Sequence, residues 1–75
     1  MKWDKEKRER VAALLNRGVW NDTELQELID ILEAGHEALY CLGPHYDLAT
    51  HAIHNQLRSL SKLRDDRIHD GRWNP

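Results

Sequence analysis

Residues 21–42, NDTELQELIDILEAGHEALYCL, decide the fold, because apolar side chains recur there at alternating spacings of three and four. This is the heptad pattern of a helix that buries one face against neighbouring helices. The predicted seam consists of Leu25, Leu28, Leu32, Gly35, Leu39 and Leu42. Ile29 and Ile31 widen the apolar face beyond this seam. The helix therefore needs more cover than a single partner helix supplies.

Local signals set the two ends of this helix. Asn21 is the predicted N-cap, and Glu24 stands three residues later, where its carboxylate can complete a capping box. The pair Gly43 and Pro44 is typical of a helix end. The sequence thus predicts a helix over residues 22–42.

Two further helices flank this segment. The first is predicted at residues 4–17 and ends at Gly18, and the third is predicted at residues 45–68, before a frayed tail at 69–75. The third helix repeats the heptad pattern at Tyr46, Ala49, Ile53, Gln56, Leu60 and Leu63, with Leu57 beside it. Two long helices joined by a short break fold back on each other. We therefore expect one all-α domain, residues 1–75, built as an antiparallel helical hairpin with a short N-terminal helix.

The width of the seam predicts self-association. A chain of 75 residues buries little apolar surface, and its single cysteine, Cys41, excludes an internal disulfide. We expect a second copy to cover the remaining seam in a dimeric helical bundle; the alternative is a monomeric three-helix bundle. At Gly35, a glycine inside the seam predicts a close helix crossing or a notch for a partner side chain.

Charge is distributed in blocks along the chain. Between Val19 and Leu57 there are seven acidic residues and no Lys or Arg, whereas all 11 basic residues lie in the flanks. In a hairpin, the basic end of the third helix lies beside the acidic start of the second. Glu33 and Glu37, nearer the turn, are left without an intramolecular base. We expect a protein partner with a basic surface to bind here, at Glu27, Asp30, Glu33, Glu37, Tyr40 and Tyr46.

Two other functional classes stay open. Residues 14–31 resemble a helix–turn–helix in outline, so the basic flanks could serve a DNA-associated accessory protein, although the would-be recognition helix is acidic. Glu33 and His36, or His51 and His54 with Asp47, have spacings used by metal-binding bundles. These ligand sets are incomplete on any one helix, so we expect no tightly held metal and no cofactor.

Catalytic signatures are missing from the sequence. It has no phosphate-binding loop, no nucleotide fingerprint and no activated nucleophile, which predicts a non-enzymatic protein. A charged start and the lack of about 20 consecutive apolar residues predict a cytoplasmic protein with no membrane span. In its size, acidic face and lack of catalytic motifs, the chain resembles small regulators encoded by phages and mobile elements. That resemblance implies an inhibitor or modulator of another protein.

Overall fold

The described part of the chain is all-α. A computed structural model describes residues 2–41 and 47–75, and within them it contains three helices and no strand. Helix α1 spans Lys5–Arg17, α2 spans Asp22–Tyr40 and α3 spans Asp47–His69. The all-α class is confirmed. The predicted dimer stays a prediction.

Helix α2 packs against both other helices. At its start, Asp22 bonds Arg67 near the end of α3, and further along, His36 lies beside His54 nearer the start of α3. These two pairs show that α2 and α3 run antiparallel, in agreement with the predicted hairpin. In the described part of the chain, no helix combines the length and apolarity that a membrane span requires.

The predicted caps are confirmed. The Glu24 backbone N–H donates to the Asn21 side chain at 2.8 Å, and the Asn21 N–H donates to the Glu24 carboxylate at 3.2 Å. Gly18 ends α1 in the left-handed conformation, with φ 73°. At the other end of α1, the Asp4 side chain accepts the Lys7 N–H at 2.9 Å. The starts of α1 and α2 therefore each satisfy a backbone donor that the helix itself leaves unpaired.

The ends of α2 and α3 near the turn border residues 42–46, which the structure does not describe. Helix α2 ends at Tyr40, not at residue 42, and the Cys41 N–H bonds the Glu37 carbonyl. Helix α3 spans Asp47–His69 among the described residues, and the predicted start at residue 45 lies outside them. The predicted break at Gly43 and Pro44, together with Leu42 and Tyr46, lies outside the described residues.

Most of the core comes from α2. The buried apolar side chains are Val11 and Leu14 of α1, Leu25, Leu28, Ile29, Ile31 and Leu32 of α2, and Leu60 of α3. Of the other described seam positions, Gly35 is buried, and Leu39, Ile53 and Leu57 are half-buried. The dominance of α2 follows from its two neighbours: only the middle helix can be covered from two sides.

The register predicted for α3 needs correction. Ala49 and Gln56, which the heptad assigned to the seam, are exposed, whereas Leu57 packs against the core. Helix α3 meets α2 along a narrow stripe that continues from Leu60 to Arg64 and Arg67. The heptad prediction requires neighbouring helices on both flanks of the seam. Because α3 packs against α2 on one side only, the flank of α3 that carries Gln56 is exposed to water.

The last residues of the chain pack back onto the fold, although we expected them to fray. Gly71 is left-handed, with φ 73°, and the N–H groups of Gly71 and Arg72 bond the carbonyls of Ile68 and Arg67. This is a Schellman motif, which turns the chain out of the helix. Trp73 then packs against the core, and the Asn74 N–H donates to the Asp22 carboxylate at 2.8 Å.

Gly35, in the seam of α2, leaves space that a side chain of the same chain fills. A Cβ added at Gly35 would lie 2.9 Å from two carbons of the Trp3 ring. Trp3 comes before α1, so its indole closes the α1 side of α2 at this point. The sequence predicted a close helix crossing or a notch for a partner side chain, whereas in the structure Trp3 of the same chain occupies the space beside Gly35.

We predict that Gly35→Ala destabilises the protein, although alanine is the better helix former. The added methyl group overlaps the Trp3 ring, which must leave its seat and expose apolar surface. In a Trp3→Ala background the clash is absent, so Gly35→Ala should then stabilise the helix by about 0.5–1 kcal/mol. Chemical denaturation of the four chains measures both steps. If Gly35→Ala changed the free energy of unfolding in the same direction in both backgrounds, the contact between Trp3 and Gly35 would be contradicted.

Candidate protein-binding surface

The first three acidic residues of α2 are neutralised within the chain. Asp22 pairs with Arg67 of α3 at 2.8 Å, and Glu27 pairs with Arg10 of α1 at 2.8 Å. Glu24 forms a two-pronged pair with Arg17 of α1. From the sequence we expected basic residues of α3 to neutralise these acids. Helix α1 supplies two of the three partners, because it packs along the side of α2 that carries these glutamates.

Arg67 joins three parts of the fold. Its guanidinium donates to the Asp22 carboxylate and to the Trp20 carbonyl, both at 2.8 Å. The Trp20 indole N–H donates in turn to the Leu14 carbonyl at 2.6 Å, near the end of α1. The turn between α1 and α2 is therefore held by α3. A base engaged in this way is not free to contact another molecule.

The acidic residues further along α2 lack such partners. Asp30, Glu33 and Glu37 are exposed, and within residues 2–41 and 47–75 no Lys or Arg forms an ion pair with them. The Asp30 carboxylate accepts only a neutral amide hydrogen bond, from Gln26 at 2.8 Å. Negative charge on this part of α2 is thus uncompensated.

An exposed aromatic side chain lies beside these acids. Tyr40, at the end of α2, is 73% exposed. We call the surface formed by Glu33, Glu37 and Tyr40 the acidic-aromatic face. Of the other residues predicted to bind a partner, Glu27 is engaged by Arg10, and Asp30 is exposed one turn before Glu33. Tyr46 lies outside the described residues. The binding role of this set stays a prediction.

The acidic-aromatic face lies where the core is thin. Beyond Gly35, the described residues of α2 include no buried side chain, and the buried core of α3 begins only at Leu60. Leu48, early in α3, is 88% exposed. Sequence reasoning missed Leu48, because it lies outside the heptad; the available signal was a large apolar residue at a non-seam position.

The histidines pair differently from the spacing prediction. The sequence grouped Glu33 with His36 and His51 with His54, each within one helix. In the structure the His36 and His54 rings lie 5.8 Å apart across α2 and α3, and His36 also stacks near Tyr40 at 6.3 Å. His51 is exposed. No group of three or more metal-ligating side chains forms among the described residues.

The ion pairs also bear on the DNA-associated alternative. Arg10, Arg17 and Arg67, which belong to the basic flanks, are each bonded to a carboxylate of α2. Arg58 and Lys62 of α3 are exposed and lie together with Asn55 and Ser59. Lys5 and Arg8 of α1 are exposed as well, so the DNA-associated alternative stays a prediction.

Comparison with known proteins gives no family assignment: no protein-family model, no curated protein and no solved structure matches the chain.

Two of the paired acids have lowered pKa values. The pKa of Asp22 is lowered first by the hydrogen bond from the Asn74 backbone N–H and then by Arg67. The pKa of Glu24 is lowered by the hydrogen bonds from Arg17 and from the Asn21 N–H. A carboxylate with a lower pKa in the folded chain contributes stability above its unfolded pKa. That contribution is lost as the pH falls through the folded pKa.

We predict that the free energy of unfolding falls as the pH is lowered below about 4, the range in which unfolded carboxylates titrate. Asp22→Asn should flatten this dependence, because the amide carries no charge to lose. Urea denaturation between about pH 6 and pH 2 measures both slopes. Asp66→Asn, a change at an exposed aspartate of α3, is the matched control. Equal slopes for the native chain and Asp22→Asn would contradict the prediction.

Proposed function

We propose that this chain is a small, non-enzymatic regulatory protein that binds another protein through the acidic-aromatic face and thereby inhibits or modulates it. One observation carries the proposal. The first three acids of α2, Asp22, Glu24 and Glu27, are each paired with an arginine, whereas Glu33 and Glu37 have no such partner among the described residues. Within that part of the chain, the fold thus neutralises the start of an acidic helix and leaves its later acids charged.

A partner with a basic surface fits this face. Uncompensated carboxylates attract a basic surface over a distance of about one Debye length, roughly 8 Å at physiological salt. Such steering raises the association rate and selects against acidic partners. Tyr40 adds a large side chain that buries area at a small entropic cost.

The position of the face supports the same proposal. Glu33 and Glu37 are one turn apart on α2, so their carboxylates lie on one side of the helix. Contacts made there leave the buried core between Val11 and Leu32 undisturbed. The binding surface and the stabilising core are therefore separate parts of the molecule.

We predict that Glu33→Lys combined with Glu37→Lys slows association with the partner while the fold is retained. Both side chains are exposed, so the change removes an attractive field without opening the core. Once a partner has been isolated, surface plasmon resonance at two salt concentrations measures the association rate. The loss should be larger at low salt, where charges are less screened.

A control with the same change in net charge separates the face from total charge. Asp65→Lys combined with Asp66→Lys alters two exposed acids of α3. This variant should associate nearly as fast as the native chain. If both double variants associate equally slowly, net charge governs association and the acidic-aromatic face has no special role.

We also propose that the chain forms a homodimer, although α1 and α3 already bury Leu25 to Leu32 of the α2 seam within one chain. The exposure of Leu48 and Tyr40 supports this proposal: at 88% and 73% exposed, they are large apolar groups near the thin part of the core. A second copy that covers Leu48 would bury surface that the single chain leaves in water.

We predict that sedimentation equilibrium at micromolar concentration gives about twice the chain mass of 8.8 kDa. Leu48→Glu should shift the equilibrium towards the monomer, because a buried carboxylate without a partner is costly. Val19→Glu, at another exposed apolar residue outside the helices, is the matched control. A native chain that sediments as a monomer across this range contradicts the dimer.

A further inference from the structure

Two imidazole rings from different helices face each other across the hairpin. His36 of α2 and His54 of α3 have ring centres 5.8 Å apart and ring planes tilted by 43°. His36 is half-buried and His54 is exposed, so solvent reaches the space between them. Among the described residues, neither ring forms a side-chain hydrogen bond or an ion pair. In that part of the chain, neither ring is therefore committed to a hydrogen-bond or ion-pair partner.

The separation of the rings fits a single metal ion between them. A histidine nitrogen lies about 2.0–2.1 Å from a bound zinc ion, which places the ring centre roughly 3.2 Å from the ion. Two such rings at bond angles between tetrahedral and linear are separated by about 5.2–6.4 Å. The observed 5.8 Å lies inside this interval, which assumes that each ring turns one nitrogen towards the ion.

We propose that His36 and His54 form a two-histidine site for one divalent transition-metal ion that bridges α2 and α3. Imidazole nitrogen suits Zn²⁺, Ni²⁺ and Cu²⁺, with Cu²⁺ bound most tightly in the general order of affinities. Mg²⁺ and Ca²⁺ prefer oxygen ligands, so the site discriminates against them. Water completes the coordination shell, since the described residues bring no third ligand to the pair.

The site is weak and exchangeable. Two ligands hold an ion less firmly than the four of a structural zinc site, so the ion is not retained on purification. This agrees with the expectation that no metal is tightly held. The function of such a site is to clamp: a bound ion ties the thin, two-helix end of the hairpin together, on the side remote from the Arg67 junction. Because binding requires both helices in place, the ion stabilises the folded chain.

The test is thermal unfolding of the untagged chain, followed by circular dichroism, with increasing Zn²⁺. Cys41→Ser is introduced first, because an exposed thiol is itself a zinc ligand. At ten times its dissociation constant, Zn²⁺ should raise the folding equilibrium constant about elevenfold, and so raise Tm. Mg²⁺ at the same concentration should leave Tm unchanged.

Matched variants locate the site. His36→Ala and His54→Ala should each abolish the Zn²⁺ response, whereas His51→Ala, at an exposed histidine one turn from His54, should retain it. Isothermal titration calorimetry on chains shown to be folded in EDTA should give one ion per chain, and none for His36→Gln. Three results would each overturn the proposal: no response of the Cys41→Ser chain, equal loss in His51→Ala, or one ion per two chains.

Discussion

Everything else in this fold depends on the width of the apolar surface of α2. Its buried side chains point in two directions, and they are 0–3% exposed from Leu25 to Leu32. One neighbouring helix cannot remove such a surface from water. Helix α1 covers one side and α3 the other, so a short and otherwise weak helix becomes essential. Where α1 and the preceding Trp3 stop, at Gly35, the three-helix structure gives way to two helices.

The distribution of charge follows from this packing. Because α1 and α3 both lie against the first half of α2, arginines of both helices reach its first acids. The exposed pairs among them contribute little to stability, but they fix which carboxylates keep an uncompensated charge. The acidic-aromatic face is thus the part of α2 whose acids the arginines of α1 and α3 do not pair with. The acidic-aromatic face and the proposed histidine site both lie at the end of the hairpin where few side chains are buried. Contacts with other molecules there leave the packing of the core unchanged.

Local features of this fold could be predicted from the sequence, and non-local ones could not. The capping box of Asn21 and Glu24 was predictable because its donors and acceptors are three residues apart. The seam of α2 was equally predictable from periodicity. In α3 the heptad pattern placed Gln56 in the seam, whereas the structure packs Leu57 against the core. The spacing of apolar residues alone does not say how many sides of a helix are covered. For the candidate site, the exposed acids were predictable, but the pairing of His36 with His54 depends on the relative placement of two helices.

The contact between Trp3 and Gly35 joins the start of the chain to the middle of α2, 32 positions later in the sequence. The two residues share one volume: an indole ring fills the space that a side chain at position 35 would need. Neither position is therefore free to change alone. Chains that descend from a common ancestor with this one should retain both residues or replace both, with a larger residue at 35 accompanied by a smaller one at 3. This pair would be inherited as a single unit, and its covariation would identify relatives whose remaining sequence has diverged.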